Sequence, residues 1–135
     1  MNSQQQNSNQ YVNNLNDTFL EAIKNNDIDN VINLINSGLV DRSLRGDILY
    51  KEAIIWAADY DRLEILNILL QHPLVDPSIV DNQALISASG KGYVNIVRRL
   101  LQDPRVNPRA RGDYACHIAV SQYYNDIANL LLQAR

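Results

Sequence analysis

The sequence predicts an all-α solenoid of about four stacked helical hairpins, and three observations carry that prediction. The stretch Leu69-Leu70-Gln71-His72-Pro73-Leu74-Val75-Asp76-Pro77 is written again, 31 positions later, as Leu100-Leu101-Gln102-Asp103-Pro104-Arg105-Val106-Asn107-Pro108. The same spacing places Leu101 on Leu132, Ile96 on Ile127, Ala88 on Ala119 and Leu85 on Cys116. A spacing of 35 places Leu69-Leu70 on Leu34-Ile35, Val75-Asp76 on Val40-Asp41 and Ala57 on Ala22. Each apolar run has helical periodicity and stops where a proline or glycine forbids or discourages further helix. Self-similarity at a period of this size marks an array whose units bury their apolar faces only against each other.

The elements follow in order. Residues 1 to 16 hold ten Asn or Gln, too little apolar surface to offset the entropy of ordering, so they read as a disordered polar tail. Residues 17–135 form the repeat domain, with repeats at about 17–43, 48–78, 79–109 and 110–135. Asp17-Thr18 before Phe19-Leu20, with Glu21 in the first turn, is a helix start, and that helix runs to about Asn25. Ile28, Val31, Leu34 and Ile35 stripe a second helix that ends near Ser37-Gly38. The four extra residues of the first repeat fit best as a loop at Leu44-Arg45-Gly46-Asp47.

The second repeat runs through Lys51 to Ala58, turns at Asp59-Tyr60-Asp61, and resumes with Leu63, Ile65, Leu66, Leu69 and Leu70. Ala57 and Ala58 are small where two helices approach closely. Trp56 is either a core aromatic or a binding anchor. In the third repeat Leu85 and Ala88 line the first helix, Gly90 and Gly92 permit the turn, and Ile96, Val97, Leu100 and Leu101 line the second. Asn26, Asp61 and Gly92 fall at equivalent places where a positive φ angle is expected and tolerated. Tyr123 falls there too and does not suit it, so that turn is either strained or built differently.

The 135 residues suit one domain, and the formal charge of −3 is uneven. Residues 1–80 carry 5 basic and 11 acidic side chains and residues 81–135 carry 7 and 4, a polarity that can select partners or simply be solvated. A single cysteine, Cys116, forms no internal disulfide, and the polar opening stretch is unlike a signal peptide. An intracellular, cytoplasmic setting is the default expectation. No apolar run approaches a membrane span, so no membrane partner is expected.

The fourth repeat carries a family resemblance. Gly112-Asp113-Tyr114-Ala115-Cys116-His117-Ile118-Ala119 resembles the ankyrin repeat opening Gly-x-Thr-Pro-Leu-His-x-Ala, matching at Gly112, His117 and Ala119 with Cys116 standing for leucine. Gly92-Tyr93-Val94-Asn95-Ile96-Val97-Arg98-Arg99-Leu100-Leu101 is similar to the family's second helix. The proline-flanked loops are similar to those of ankyrin arrays encoded by large DNA viruses of amoebae, which would place the chain in a host cytoplasm as an adaptor. The resemblance implies a concave face of turns and first helices that binds another protein, with no catalytic residue, no cofactor and no metal. It also implies that the His117 ring hydrogen-bonds backbone at a neighbouring turn.

By position, the partner-binding candidates are Lys51, Asp59, Tyr60, Asn82, Lys91, Arg109, Arg111, Asp113 and Gln122. Tyr60, Lys91, Arg109 and Arg111 are the sharpest, because aromatic and cationic residues dominate binding hot spots. Flanking positions Ile79, Val80, Gly90, Ala110 and Ser121 are expected on the same edge. Nucleic acid is a weaker rival: Arg98, Arg99, Arg105, Arg109 and Arg111 cluster in sequence, but Arg98 and Arg99 belong to the second helix. Homo-association is the runner-up, since Ile127, Ala128, Leu130, Leu131 and Leu132 lack the polar remodelling of a closing repeat. His72, His117 and Cys116 have no metal-type spacing, and no phosphate loop or nucleophile elbow is present.

Overall fold

The structure, a computed structural model, describes residues 15–43 and 45–134. These residues form only helices and turns: α1 at residues 15–24, then α2 (Ile28–Asn36), α3 (Leu39–Arg42), α4 (Gly46–Asp59), α5 (Leu63–Leu70), α6 (Ile79–Lys91), α7 (Val94–Leu101), α8 (Ala110–Ser121) and α9 (Asn125–Gln133). Four hairpins follow, α1/α2, α4/α5, α6/α7 and α8/α9. The helices α4, α6 and α8 pack side by side as one layer, and α5, α7 and α9 as a second. The expected tail lies outside the described residues as far as position 14. Leu15 and Asn16 are already in α1, with Leu15 buried, so the helix starts before Asp17-Thr18.

The 31-residue register becomes columns of buried side chains. Ala53, Ala84 and Ala115 form one, Ile54, Leu85 and Cys116 another, and Ala57, Ala88 and Ala119 a third. On the second helices Ile65, Ile96 and Ile127 align, as do Leu66, Val97 and Ala128, and Leu69, Leu100 and Leu131. Alanines fill two of the first-helix columns, which lets the first helices approach closely, and larger side chains fill most of the second-helix positions. Trp56 packs at the edge of the core, its ring 5.6 Å from that of Tyr60.

Each hairpin turn is the same hydrogen-bonded device. The residue after the first helix is left-handed: Asn26 (φ 59), Asp61 (φ 59), Gly92 (φ 80) and Tyr123 (φ 63). The next N–H then reaches back five residues to an alanine carbonyl: Asp27 to Ala22 (2.8 Å), Arg62 to Ala57 (2.8 Å), Tyr93 to Ala88 (3.0 Å) and Tyr124 to Ala119 (2.9 Å). This is the Schellman closure, which satisfies carbonyls the helix end leaves open. The fourth turn is therefore built like the others, and Tyr123 carries the left-handed strain. Gly92 has a second reason to be glycine, since a Cβ there would lie 2.8 Å from the Tyr124 ring. Gly90 does not serve the turn as expected: it lies in α6, where a Cβ would lie 2.8 Å from Ile118 Cδ1 on α8.

The repeated proline sentence is a second device. His72 Nδ1 accepts the Leu74 N–H (3.1 Å), and Asp103 Oδ1 the Arg105 N–H (3.0 Å). Asp76 Oδ1 accepts the Ser78 N–H (2.9 Å), and Asn107 Oδ1 the Arg109 N–H (3.0 Å). In every case a residue before proline caps the N–H two positions on, spanning a ring that donates nothing. The chain then enters three consecutive left-handed residues, Val80-Asp81-Asn82 in α6 and Arg111-Gly112-Asp113 in α8, before right-handed helix resumes.

The second repeat departs from this plan, and two of the four residues expected in a loop begin a helix. Leu44 lies outside the described residues, but Gly46 and Asp47 begin α4, a 14-residue helix, so the additional length becomes helix where later repeats have a left-handed turn. Gly46 is required there because a Cβ would collide with the Val40 carbonyl oxygen. At the same junction the buried Tyr50 hydroxyl donates to Asp41 Oδ1, and its ring stacks on His72 at 4.2 Å and on Phe19 edge-on at 5.9 Å. Because His72 Nδ1 is an acceptor, its Nε2 carries the proton and donates to Asp41 Oδ2 at 3.0 Å. Burial pushes the Asp41 carboxyl up, but the hydrogen bonds from Tyr50 and His72 hold it below the usual range. Burial and then the Asp41 hydrogen bond push the Tyr50 phenol up.

Candidate protein-binding face

The inward sides of α4, α6 and α8 are committed to the second helices, which leaves their opposite side as the working face. Its clearest feature is a recess of about 430 Å³ between α6 and α8. Gln83, Ile86, Ser87, Gly90 and Lys91 from α6 line it with Arg111, Tyr114 and Ile118 from α8. Tyr114 in its lining is 47% exposed, and Val80, whose carbonyl accepts from Arg111, is 56% exposed. That a β-branched residue is held at φ 53 shows that the surrounding turn over-determines the conformation.

Four cations, two of them lining the recess, are held by the repeat before them. Arg62 donates to the Lys24 carbonyl (2.6 Å), Lys91 to the Asp59 carbonyl (3.1 Å), Arg105 to the Val75 carbonyl (2.9 Å) and Arg111 to the Val80 carbonyl (2.8 Å). Lys91 also pairs with Asp59 Oδ1 at 3.0 Å, while Ser87 Oγ donates to that same oxygen at 2.8 Å. Arg111 Nε lies 3.6 Å from Asp81, and Arg109 Nε 3.7 Å from Asp113. Arg105 forks onto Asp103, and that hydrogen bond first of all lowers the acid and raises the guanidinium. The side chain of Ser78 holds Asp76 low in the same way.

The nine candidates therefore divide. Lys91 and Arg111 meet at the recess, with Asp59 behind Lys91. Arg109 and Asp113 pair at the start of α8, Lys51 is exposed on α4, and Gln122 is exposed at the end of α8. Tyr60 sits away from the recess, half-buried, with its ring beside Trp56 and Lys24 Nζ 5.8 Å over it. Asn82 corrects the expectation of an exposed contact: it is 5% exposed, and its Oδ1 accepts the Asn107 N–H at 2.9 Å. It ties the start of α6 to the loop that leads into α8. Ala110 is likewise buried.

His117 also departs from its implied role. It is exposed on α8, and among the described residues its ring hydrogen-bonds no backbone group. Tyr114 was missed as a candidate, although its place one turn beyond Arg111 in the register could have flagged it. Each of the five arginines has its own partner: Arg99 donates to Asn67 (2.8 Å), Arg98 to Asn95 (3.1 Å), and the rest as above. Among the described residues no cluster of side chains has metal-ligand character, and no helix is long and apolar enough to cross a membrane.

Comparison with curated proteins gives no match. The family described as Ankyrin repeats (3 copies) matches residues 54–135, more than half of the chain. The stacked hairpins, their common closure at an alanine carbonyl and this match agree, and the chain belongs to the ankyrin-repeat family.

Proposed function

We propose that the chain is a non-enzymatic module that binds another protein through the face made by its first helices and the turns before them, centred between α6 and α8. Ankyrin repeats are in general protein–protein interaction modules. The observation that carries the reading here is the recess itself: an apolar floor beside exposed Tyr114 and Val80, bordered by cations already held in place. Large amphipathic side chains next to oriented cations are what binding hot spots are made of. The test is a photo-crosslinking side chain placed at Tyr114 and, separately, at exposed Asn129 on α9. Crosslinks in extract should form from position 114 and fade with Lys91→Glu. Equal crosslinking from both positions, unmoved by that substitution, would overturn the reading.

Self-association is the second reading, and one observation favours it. Val120 (56%), Tyr123 (85%) and Leu132 (47%) are exposed at positions equivalent to Ser89, Gly92 and Leu101. Ser89 is fully buried and Gly92 lies under Tyr124, so the outer side of the last hairpin has the register of an inter-repeat face. Sedimentation should show a dimer that Leu132→Glu with Tyr123→Ser dissolves, and a monomer at high concentration would end the idea.

A further inference from the structure

We propose that the recess between α6 and α8 receives a partner segment in which an apolar side chain is flanked by carboxylates. This rests on the concave-face reading and names the chemistry of its occupant. The floor is Ile86 and Ile118 with the bare backbone of Gly90 between them, and Tyr114 closes one side. Apolar surface of this extent rewards burial of an aliphatic or aromatic group.

Charge selects what stands beside that group. The ionised side chains lining the recess are both cations, Lys91 from α6 and Arg111 from α8. Arg111 donates to the neutral Val80 carbonyl, a bond that fixes the guanidinium without cancelling its charge, and its acidic neighbour Asp81 is 3.6 Å away with a side chain 63% exposed. Lys91 shares Asp59 with Ser87, so that carboxylate is already engaged from two sides. Both cations are ordered before a partner arrives, which lowers the entropy of forming further hydrogen bonds. Residues 81–135 carry 7 basic and 4 acidic side chains, so the local field also draws acidic segments and repels basic ones.

The experiment is an NMR titration of the full chain with three synthetic peptides in one Gly-Ser frame, each with a central Leu-Leu flanked by two Asp, two Asn or two Lys. The Asp peptide should bind about fivefold or more tightly than the Asn peptide, the size expected of two exposed ion pairs. Its advantage should shrink as salt rises from about 50 mM to about 500 mM. Amides of Ile86, Gly90 and Ile118 should move, and the advantage should vanish in Lys91→Gln and in Arg111→Gln while surviving in Arg98→Gln. Arg111→Lys, which keeps the charge, guards against a loss that is only structural. Equal binding of the Asp and Asn peptides at the recess would overturn the carboxylate assignment and leave the concave-face reading standing. Shifts confined to other surfaces, or none with any peptide, would overturn both.

Discussion

The Tyr50 hydroxyl, inside the core, donates to the carboxylate of Asp41 on the surface of α3, and this bond joins the first repeat to the second. The carboxyl of Asp41 is held below its ordinary value, so its contribution is complete above the unfolded value of about 4 and is lost as pH falls through the folded one. Tyr50→Phe should destabilise the protein by about 1 kcal/mol at neutral pH. The gap between wild type and variant in urea melts should narrow in acid. An unchanged gap at pH 3 would mean that the pair does not carry the effect.

Two residues occupy left-handed backbone that their side chains oppose. Val80 lies at φ 53 and Tyr123 at φ 63, both exposed. Val80→Gly and Tyr123→Asn should each raise stability by about 1 kcal/mol, because the left-handed region costs L-residues about that much or more. A drop in the denaturation midpoint for Tyr123→Asn would show that the ring does something in the turn that outweighs the strain.

Helix propensity alone predicts that Gly46→Ala and Gly90→Ala both stabilise by about 1 kcal/mol. Sterics separates them. At Gly46 the added methyl meets the main-chain oxygen of Val40, which cannot move aside, and a net loss of about 1 to 3 kcal/mol is expected. At Gly90 it meets the tip of Ile118, which can rotate, so the change should stay within about 0.5 kcal/mol. Thermal melts of the two variants in the reverse order would contradict the packing described.

Asn82→Ala should cost about 1 to 2 kcal/mol, since it leaves the Asn107 N–H without its acceptor. Lys51→Ala, at the equivalent place in the second repeat but exposed, should be neutral within about 0.5 kcal/mol. Amide exchange at Asn107 should accelerate in the Asn82 variant, and unchanged protection there would sink the assignment.

The columns led by Ile65, Leu69 and Ala57 were legible in the sequence because burial at a fixed period leaves an apolar signature. Asn26, Asp61 and Gly92 announced their turns because such residues tolerate a positive φ. Val80 announced nothing, since a β-branched residue is the last type expected there, yet its run matches the left-handed one at Arg111-Gly112-Asp113. Gly46 read as a loop residue because its role is the space it leaves for Val40, which composition does not encode. At the candidate face, position in the register singled out Lys91 and Arg111, but their acceptors are main-chain carbonyls that every residue possesses. Asn82 looked like an outward polar group because Lys51 and Asp113, its counterparts, are charged.

Arg62, Lys91, Arg105 and Arg111 each grip a carbonyl of the preceding unit, and an acceptor on the main chain survives any substitution of the residue that bears it. The donor unit alone must keep its cation. A gene segment copied in tandem would thus arrive with its own fastening, able to attach to a neighbour of unrelated side chains, so arrays of this construction can lengthen or shuffle without matched changes on both sides of each joint.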